Sequence, residues 1–479
     1  MRILLHRFKP DIRLLIAGYA LLLLLAALLL PLRIEEMLQL LASRQHSFGG
    51  FLNWIPKAPG SAPLSYFVQF PFVFALGVSR LGPRLPSVLF GLGSCYLFLR
   101  LAKSIPLRQP YLALALFLLL PTQYRMATQG LPFEQALFLL LLATLFFLRL
   151  IRTPTVELSI WYAVALTLSL YSERLSYLPA IGYLLFLFAF VNRSHERRVI
   201  WLALPATVAP MLLFVPYYLW ARPLVNPTWL SAPLPPHTPS LLYLQALVDF
   251  AADIPVGYAL SVLLIFGLFA GVWGLFRVPR QEYPRRVPLA ALPRNIAIFC
   301  LFGGAVSTLA VVLVLDAWNR YPFRSSQVLW AMPGVIVSTA VALEGWNQAL
   351  RRALWALLIF LCLLTDARYL ATVTEDLRGE TLLVRPQLRG DSCVVFVSRR
   401  LSRPLFLLLD PSLESNECRN FFHRRVVLAS HAYVTPFQQE DAESFFRGLN
   451  FVEVKRIRAG GGQIVVVEGA GEAAGTTPQ

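Results

Sequence analysis

Residues 11–36, DIRLLIAGYALLLLLAALLLPLRIEE, decide the fold, because a long apolar run is followed at once by two adjacent acids, Glu35 and Glu36. The run over 11–32 is long enough to cross a bilayer core of about 30 Å at about 1.5 Å per residue. Basic residues precede the run and no small-residue cleavage site follows it. This pattern predicts an uncleaved anchor with a cytoplasmic N-terminus and places the two glutamates outside.

The composition predicts a multi-span membrane protein. Apolar residues make up 57% and charged residues 14% of the 479 positions, which does not suit a soluble globule with a polar surface. The net charge of +17 results from 43 Lys and Arg against 26 Asp and Glu. The basic residues are spread through short loops rather than forming a basic stripe with aromatics, so they orient the chain in the membrane and do not indicate nucleic-acid binding.

Loop charge predicts the topology. Ten further spans are expected, at 85–101, 109–123, 131–150, 157–172, 176–191, 199–220, 255–276, 295–315, 326–343 and 353–370. With the first span they make about eleven crossings, and every dense basic cluster then falls inside. This count requires the apolar stretch 63–77, which Pro71 interrupts, to lie as a helix at the outer interface. An odd count places the C-terminus outside.

The segment after the first span predicts a surface helix. Ile34, Met37, Leu38 and Leu41 recur at helical spacing, which puts the acidic pair on the opposite, wetter face. The simplest interpretation is that both acids are solvated, since acidic residues suit the first turn of a helix.

Arg84 opens the segment RLPSVLFG at 84–91, at the expected outer mouth of the second span. Its planar donor fork would act together with the positive end of the helix, where Pro86 occupies the first turn. That combination suits a lipid phosphate. The alternative is an arginine that extends to the interface, as most arginines at span ends do.

Together these residues carry a family resemblance. The acidic pair, the proline-leucine-aromatic element around Tyr66 and the segment 84–91 resemble the polyprenol-phosphate-dependent membrane glycosyltransferases of the GT-C superfamily. The most similar branches are the protein mannosyltransferase-like and the aminoarabinose transferase-like enzymes. The likeness is good over 34–101 and fair to residue 171. Beyond that it rests on hydropathy and on NRYPFR at 319–324.

The resemblance implies transfer of one sugar from a polyprenyl-phosphate donor to an acceptor hydroxyl of a lipid, glycan or protein, outside the cytoplasm and with inversion. Glu35, beside Glu36, would be the general base. The other expected contacts are Arg84, Arg320, Tyr321 and Lys57 for the donor phosphate, and Tyr66, Arg125, His237 and Asp253 for the acceptor or a lid. The outer loops 33–84 and 221–254 carry most of these residues.

The chain also departs from the family pattern. Glu35 stands where the family usually has Asp, and a displacement of about an ångström can cost about 100-fold in rate. The usual His-Pro-Pro or Lys-Pro-Pro is replaced by SAP at 61–63, which leaves Lys57 or His46 as substitutes. An Arg-containing outer segment of the family is replaced by TQGLP at 128–132.

Two alternatives remain open at this stage. A transporter or lipid flippase would also contain broken helices, although no internal repeat is visible and few charges lie at mid-span. A catalytically inactive scaffold that binds polyprenyl phosphate would fit the motif departures. No cofactor and no metal are expected, because His and Cys spacing is not that of a metal site. Glu35, Glu36 and Asp253 would bind a metal if the fold brought them together.

The composition changes near residue 371. Residues 1–370 are predicted to form the membrane domain, 371–469 a small α/β domain in the periplasm of a bacterial inner membrane, and 470–479 a disordered tail. Cys393 and Cys418 are its cysteines and would form a disulfide in an oxidising compartment. A helix is expected over 440–449, and strands over 393–397, 405–409, 426–429, 451–455 and 464–467.

Overall fold

Apolar helices dominate the computed structural model. It describes residues 12–43, 47–55, 62–77, 79–105, 107, 109–190, 197–221, 255–277, 329–372, 376–397, 399–419, 425–431, 434, 436–459 and 462–469. Several predicted features lie outside the described residues: the span 295–315, the tail 470–479, nearly all of the loop 221–254, and Lys57, His237, Asp253, Arg320 and Tyr321.

The helices before the C-terminal domain follow the predicted apolar runs closely. They are α1 (Ile12–Leu29), α2 (Ile34–Ser43), α3 (Phe48–Trp54), α4 (Leu64–Leu76), α5 (Leu85–Ser104), α6 (Pro110–Leu119), α7 (Pro121–Ala127), α8 (Phe133–Arg152), α9 (Val156–Ser172), α10 (Tyr177–Phe190), α11 (Arg197–Ala221), α12 (Pro255–Arg277), α13 (Met332–Glu344) and α14 (Gln348–Thr372).

Four of these helices, α5, α8, α11 and α14, are long and apolar enough to cross a membrane, and seven shorter apolar helices accompany them among the described residues. The total of eleven crossings therefore stays a prediction. The predicted span 109–123 is two helices, because Leu120 takes an extended conformation before Pro121. A residue before proline is biased away from helical geometry, and this break places α7 as a separate short element.

The helical bundle has one large apolar core. The rings of Phe98 on α5 and Phe117 on α6 stack with centroids 4.4 Å apart. Phe147 on α8 packs against Tyr162 on α9 and Tyr183 on α10, at 5.3 and 4.9 Å. Aromatic pairs of this kind add to the packing that holds helices together where apolar burial against lipid gives little drive.

The C-terminal region is an α/β domain, as predicted. Its elements are α15 (Leu377–Val384), β1 (Ser392–Phe396), α16 (Arg399–Leu409), β2 (Arg425–Ser430), α17 (Pro436–Gly448), β3 (Phe451–Ala459) and β4 (Gly462–Gly469). The four strands lie in the order β1-β2-β4-β3. β1 and β2 are parallel and connected through α16, while β4 is antiparallel to both β2 and β3.

The predicted strand at 405–409 is wrong, since these residues end α16. A short apolar run fits a buried strand and a buried helix equally well by periodicity. Leu405, Phe406 and Leu408 are buried, and the helix begins upstream at Arg399. The predicted disulfide is present, joining Cys393 on β1 to Cys418 with Cα atoms 5.0 Å apart.

The helix α2 connects the two parts of the molecule. Its Met37, Leu38, Leu40 and Leu41 share one buried apolar cluster with residues of α15, α16 and the sheet, including Leu405. The apolar face predicted to rest at the membrane surface therefore packs on the C-terminal domain. As a result, α2 lies between that domain and the helical bundle, which Glu36 contacts through Arg84.

Candidate functional site

Glu36 is at the centre of a closed hydrogen-bond network. It was expected on the wetter face of α2, and this was wrong, because its exposed fraction is 0%. One carboxylate oxygen, Oε1, accepts from Arg84 Nε and from the Gly130 amide, both at 2.7 Å. The other, Oε2, accepts from Arg84 Nη2 at 2.6 Å and from the Arg33 amide at 2.8 Å. Four donors thus occupy this carboxylate.

The hydrogen-bond donors of the Arg84 guanidinium also all have partners. Beyond its two bonds to Glu36, Nη1 donates to the carbonyls of Ala27 at 3.1 Å and Leu30 at 2.7 Å, and Nη2 donates to Pro31 at 2.6 Å. These carbonyls lie at the C-terminal end of α1, where backbone acceptors lack helical partners and a positive charge is favoured. All five N–H bonds of the guanidinium are used. The predicted role of Arg84 in binding a lipid phosphate stays a prediction, and a phosphate would have to replace one of these five acceptors.

Two further residues complete this network. Gln69 on α4 donates from Nε2 to the carbonyls of Pro83 and Gly130, at 3.0 and 3.1 Å. A Cβ on Gly130 would lie 2.7 Å from the Pro83 carbonyl oxygen, so only glycine fits there. We call the set Glu36, Gln69, Arg84 and Gly130 the buried hub. It joins α1, α2, α4 and α5 to the turn before α8.

Glu35 has a different environment from its neighbour. It occupies the first turn of α2 and is half-buried rather than enclosed. Because α2 turns by about 100° per residue, its side chain leaves the helix in another direction from that of Glu36. Of the predicted acidic pair, Glu35 is the member whose carboxylate is not committed to the hub.

A cationic and aromatic group lies near α2. The guanidinium carbons of Arg33 and Arg125 stand 5.5 and 4.7 Å from the ring centre of Tyr369 on α14. The Tyr369 hydroxyl accepts from Gln129 Nε2 at 3.4 Å, and Asp366 lies within electrostatic range of Arg125. We call Arg33, Arg125 and Tyr369 the arginine–tyrosine cluster. Sequence reasoning missed Tyr369, which lies 244 positions beyond Arg125 in a run with no motif.

Tyr66 is buried beside α2 and α3. Its exposed fraction is 3%, and it packs in a small apolar cluster with Ala42, Phe51 and Ile55. The acceptor or lid roles expected of Tyr66 and Arg125 stay predictions. Within the described ranges, no group of three or more His, Cys, Asp or Glu residues is arranged to hold a metal.

Comparison with solved structures identifies the architecture. The crystal structure of ArnT from Cupriavidus metallidurans bound to undecaprenyl phosphate aligns with a TM-score of 0.59 and 13% identity, covering 98% of this chain and 100% of that one. The chain has the fold of ArnT. The apo form aligns similarly, with a TM-score of 0.58, 13% identity, and coverage of 97% and 99%.

The fold agrees with the predicted architecture in being mostly helical with a small C-terminal sheet. No family model matches the sequence, and no curated protein matches it. An identity of 13% shows shared architecture, so function must be argued from the residues of this chain.

Proposed function

We propose that this protein is an integral membrane glycosyltransferase that moves one sugar from a polyprenyl phosphate to an acceptor hydroxyl on the outer side of the membrane. The observation that carries the proposal is the match over 98% of the chain to ArnT bound to undecaprenyl phosphate. It is supported by the resemblance over 34–101 and by an acidic residue in the first turn of α2.

We assign the general base to Glu35 alone. Its carboxylate would accept the proton of the acceptor hydroxyl while the acceptor oxygen attacks the anomeric carbon. The bond from that carbon to the phosphate oxygen breaks in the same displacement, and the polyprenyl phosphate leaves with inversion of configuration. Glu36 cannot take the proton without giving up one of its four donors, including Arg84. That loss would leave a buried cation without its partner.

We assign contact with the donor phosphate to Arg125 and Arg33. Both guanidiniums lie against one ring, so their separation is no larger than the sum of the two ring distances. Two positive charges beside one tyrosine ring attract an anion such as a phosphate. Arginine also fits phosphate through paired, charge-assisted hydrogen bonds. Arg320, Tyr321 and Lys57 remain proposed donor contacts, and His237 and Asp253 proposed lid residues.

The test is sugar transfer in proteoliposomes from a panel of radiolabelled polyprenyl-phosphate sugars to lipid, glycan and peptide acceptors. We expect Glu35→Gln to lower transfer by about 100-fold or more while donor binding is kept, because general base catalysis contributes about that much. Arg125→Ala should weaken donor binding. The matched control is Glu157→Gln, which changes an exposed glutamate in the first turn of α9.

Each other outcome has a definite meaning. Binding of the donor by the wild type without transfer to any acceptor would favour an inactive polyprenyl-phosphate-binding scaffold. Failure to bind any polyprenyl phosphate would refute the proposed function. Equal transfer by Glu35→Gln and wild type would move the base elsewhere while leaving the enzyme class intact.

A further inference from the structure

A second buried carboxylate, Glu134, lies in the membrane helices close to the hub. Its exposed fraction is 0%, and its Oε1 accepts from Gln123 Nε2 at 2.8 Å. Its Oε2 has no hydrogen-bond partner among the described residues. No ion pair to Glu134 is found in the described ranges either. An ionised carboxylate enclosed by apolar helices is costly unless a positive charge offsets it.

Other oxygen atoms around Glu134 are also unfilled. Within the described part of the chain, Gln123 Oε1, Ser94 Oγ and Tyr19 Oη are buried and make no hydrogen bond of normal geometry. Ser94 lies beside the Glu134 carboxylate, and the Tyr19 hydroxyl is within its electrostatic range. All three side chains are at least nine-tenths buried. Buried polar atoms are normally paired, so the open oxygens of Glu134 and Gln123, with the Ser94 hydroxyl in hydrogen-bonding range of the same carboxylate, indicate a missing ligand.

The four oxygens come from four helices. Tyr19 lies in the middle of α1, Ser94 in the middle of α5, Gln123 on α7 and Glu134 in the first turn of α8. The Gln123 amide nitrogen is already used, so its free atom is an acceptor. The Ser94 and Tyr19 hydroxyls can both donate and accept, whereas the open oxygens of Glu134 and Gln123 only accept, so a ligand that contacts them must supply positive charge or donors.

We propose that Glu134, Gln123, Ser94 and Tyr19 form a binding site for a monovalent cation, Na⁺ or K⁺. Hard cations take oxygen ligands of this kind from carboxylates, amides and hydroxyls. A single positive charge neutralises the single carboxylate. The nearby Asp366 does not require a second cation, because it lies within range of the Arg125 charge. A proton on Glu134 would supply a single donor and no charge, whereas a cation can contact the Glu134 carboxylate and the Gln123 amide oxygen together.

The site has a structural consequence. Gln123 and Glu134 flank the turn that contains Gly130, and Gly130 is held from the other side by Glu36. The cation would therefore hold the two ends of this turn through Gln123 and Glu134, while the hub holds its middle through the Gly130 amide. The inference does not depend on sugar transfer, and its test reads protein stability.

The experiment is a melting series of the full-length protein in detergent, in NaCl, KCl, LiCl or choline chloride at equal ionic strength and pH. We expect Na⁺ or K⁺ to raise Tm saturably above choline, since a ligand that binds the folded state shifts unfolding by the factor 1 + [L]/Kd. At one hundred times Kd the shift in the unfolding equilibrium is about 100-fold. Comparing Na⁺ with K⁺ identifies the preferred ion.

Variants separate the cation site from general salt effects. Glu134→Gln should remove the cation response, and Ser94→Ala should raise the half-maximal cation concentration by about 10-fold, equal to the loss of one favourable ligand. Glu173→Gln is the matched control, because Glu173 is also buried but accepts from the Leu175 amide and lies near Arg174. It should keep the full response.

Three results would overturn the proposal. Equal Tm of the wild type in all four chlorides would show that no cation is bound. A cation-independent wild type together with a more stable Glu134→Gln would identify a protonated carboxyl instead. Loss of the response in Glu173→Gln as well would show that the effect is not specific to this site. If Glu134→Gln does not fold, the Ser94→Ala titration decides alone.

Discussion

Glu36 and Glu134 are two fully buried glutamates in neighbouring parts of the same helical assembly, yet their surroundings differ. Glu36 accepts four hydrogen bonds and faces a guanidinium, while Glu134 accepts one from Gln123 and keeps an open oxygen among the described residues. Burial alone therefore does not define the role of a carboxylate. Both oxygens of the Glu36 carboxylate have hydrogen-bond partners within the protein. We propose that the Glu134 carboxylate gains its missing partner when a cation binds.

The largest expected effect on stability comes from a substitution at Glu36 in the buried hub. Glu36→Gln should destabilise the protein by about 3–5 kcal/mol, because it leaves Arg84 buried without a counter-charge and places an amide donor against other donors. The measurement is the midpoint of thermal or denaturant unfolding in detergent. Arg425→Ala is the control, since its ion pair with Glu468 is 3.3 Å long and partly exposed. It should cost less than about 1 kcal/mol.

A wild-type-like midpoint for Glu36→Gln would contradict the structural role of the hub. The proposal that Glu35 alone is the base would then lose its main support, because Glu36 would be replaceable without structural cost.

A buried ionisable group outside the membrane helices provides the next comparison. Burial lowers the pKa of His431, in the C-terminal domain, from its ordinary 6.5 to about 4. Between these values the unfolded chain binds the proton and the folded domain does not. Stability from this group is complete above about pH 6.5 and is lost as pH falls towards about 4, by about 3 kcal/mol in total.

This prediction is checked by following unfolding of the C-terminal domain of the full-length protein from pH 7 to pH 4. His431→Gln should flatten the profile in that interval, because glutamine takes up no proton. A wild-type profile that is already flat would show that the imidazole is solvated and not buried.

A smaller effect on stability is expected when the charge of Glu134 is removed. In choline chloride, Glu134→Gln should leave stability unchanged or raise it by about 1 kcal/mol, since it removes a buried charge without a partner. The sign is opposite to that of Glu36→Gln, although both changes are isosteric. A loss of several kcal/mol from Glu134→Gln in choline would show that Glu134, like Glu36, has a positive partner within the protein.

Sequence reasoning predicted what periodicity and composition determine. The apolar runs became α5, α8 and α11 with ends within a few residues, and Cys393 and Cys418 are joined. Strands β2 and β4 followed from β-branched runs between turn residues. The strand expected at 405–409 failed because a five-residue apolar run does not distinguish strand from helix.

The fate of the acidic pair could not be predicted in the same way. The buried position of Glu36 depends on hydrogen bonds from Arg84 and Gly130, which are 48 and 94 positions away in the chain. Helical spacing correctly placed Met37, Leu38 and Leu41 on one apolar face of α2. It could not show that the C-terminal domain covers this face, or that Glu36 is enclosed by Arg84 and Gly130. Long-range pairing of polar groups leaves no periodic signal in one sequence.

The smallest expected effect on stability separates Glu35 from its neighbour most clearly. Glu35 is half-buried and lies outside the hub, so Glu35→Gln, which keeps the size of the side chain, should change the free energy of unfolding by less than about 1 kcal/mol, whereas the neighbouring Glu36→Gln costs several. If sugar transfer then falls in Glu35→Gln at unchanged Tm, a folding defect does not explain the loss. If Tm falls together with transfer, Glu35 belongs to the structural part of α2, and the base must be sought at another carboxylate, such as Asp366 near Arg125.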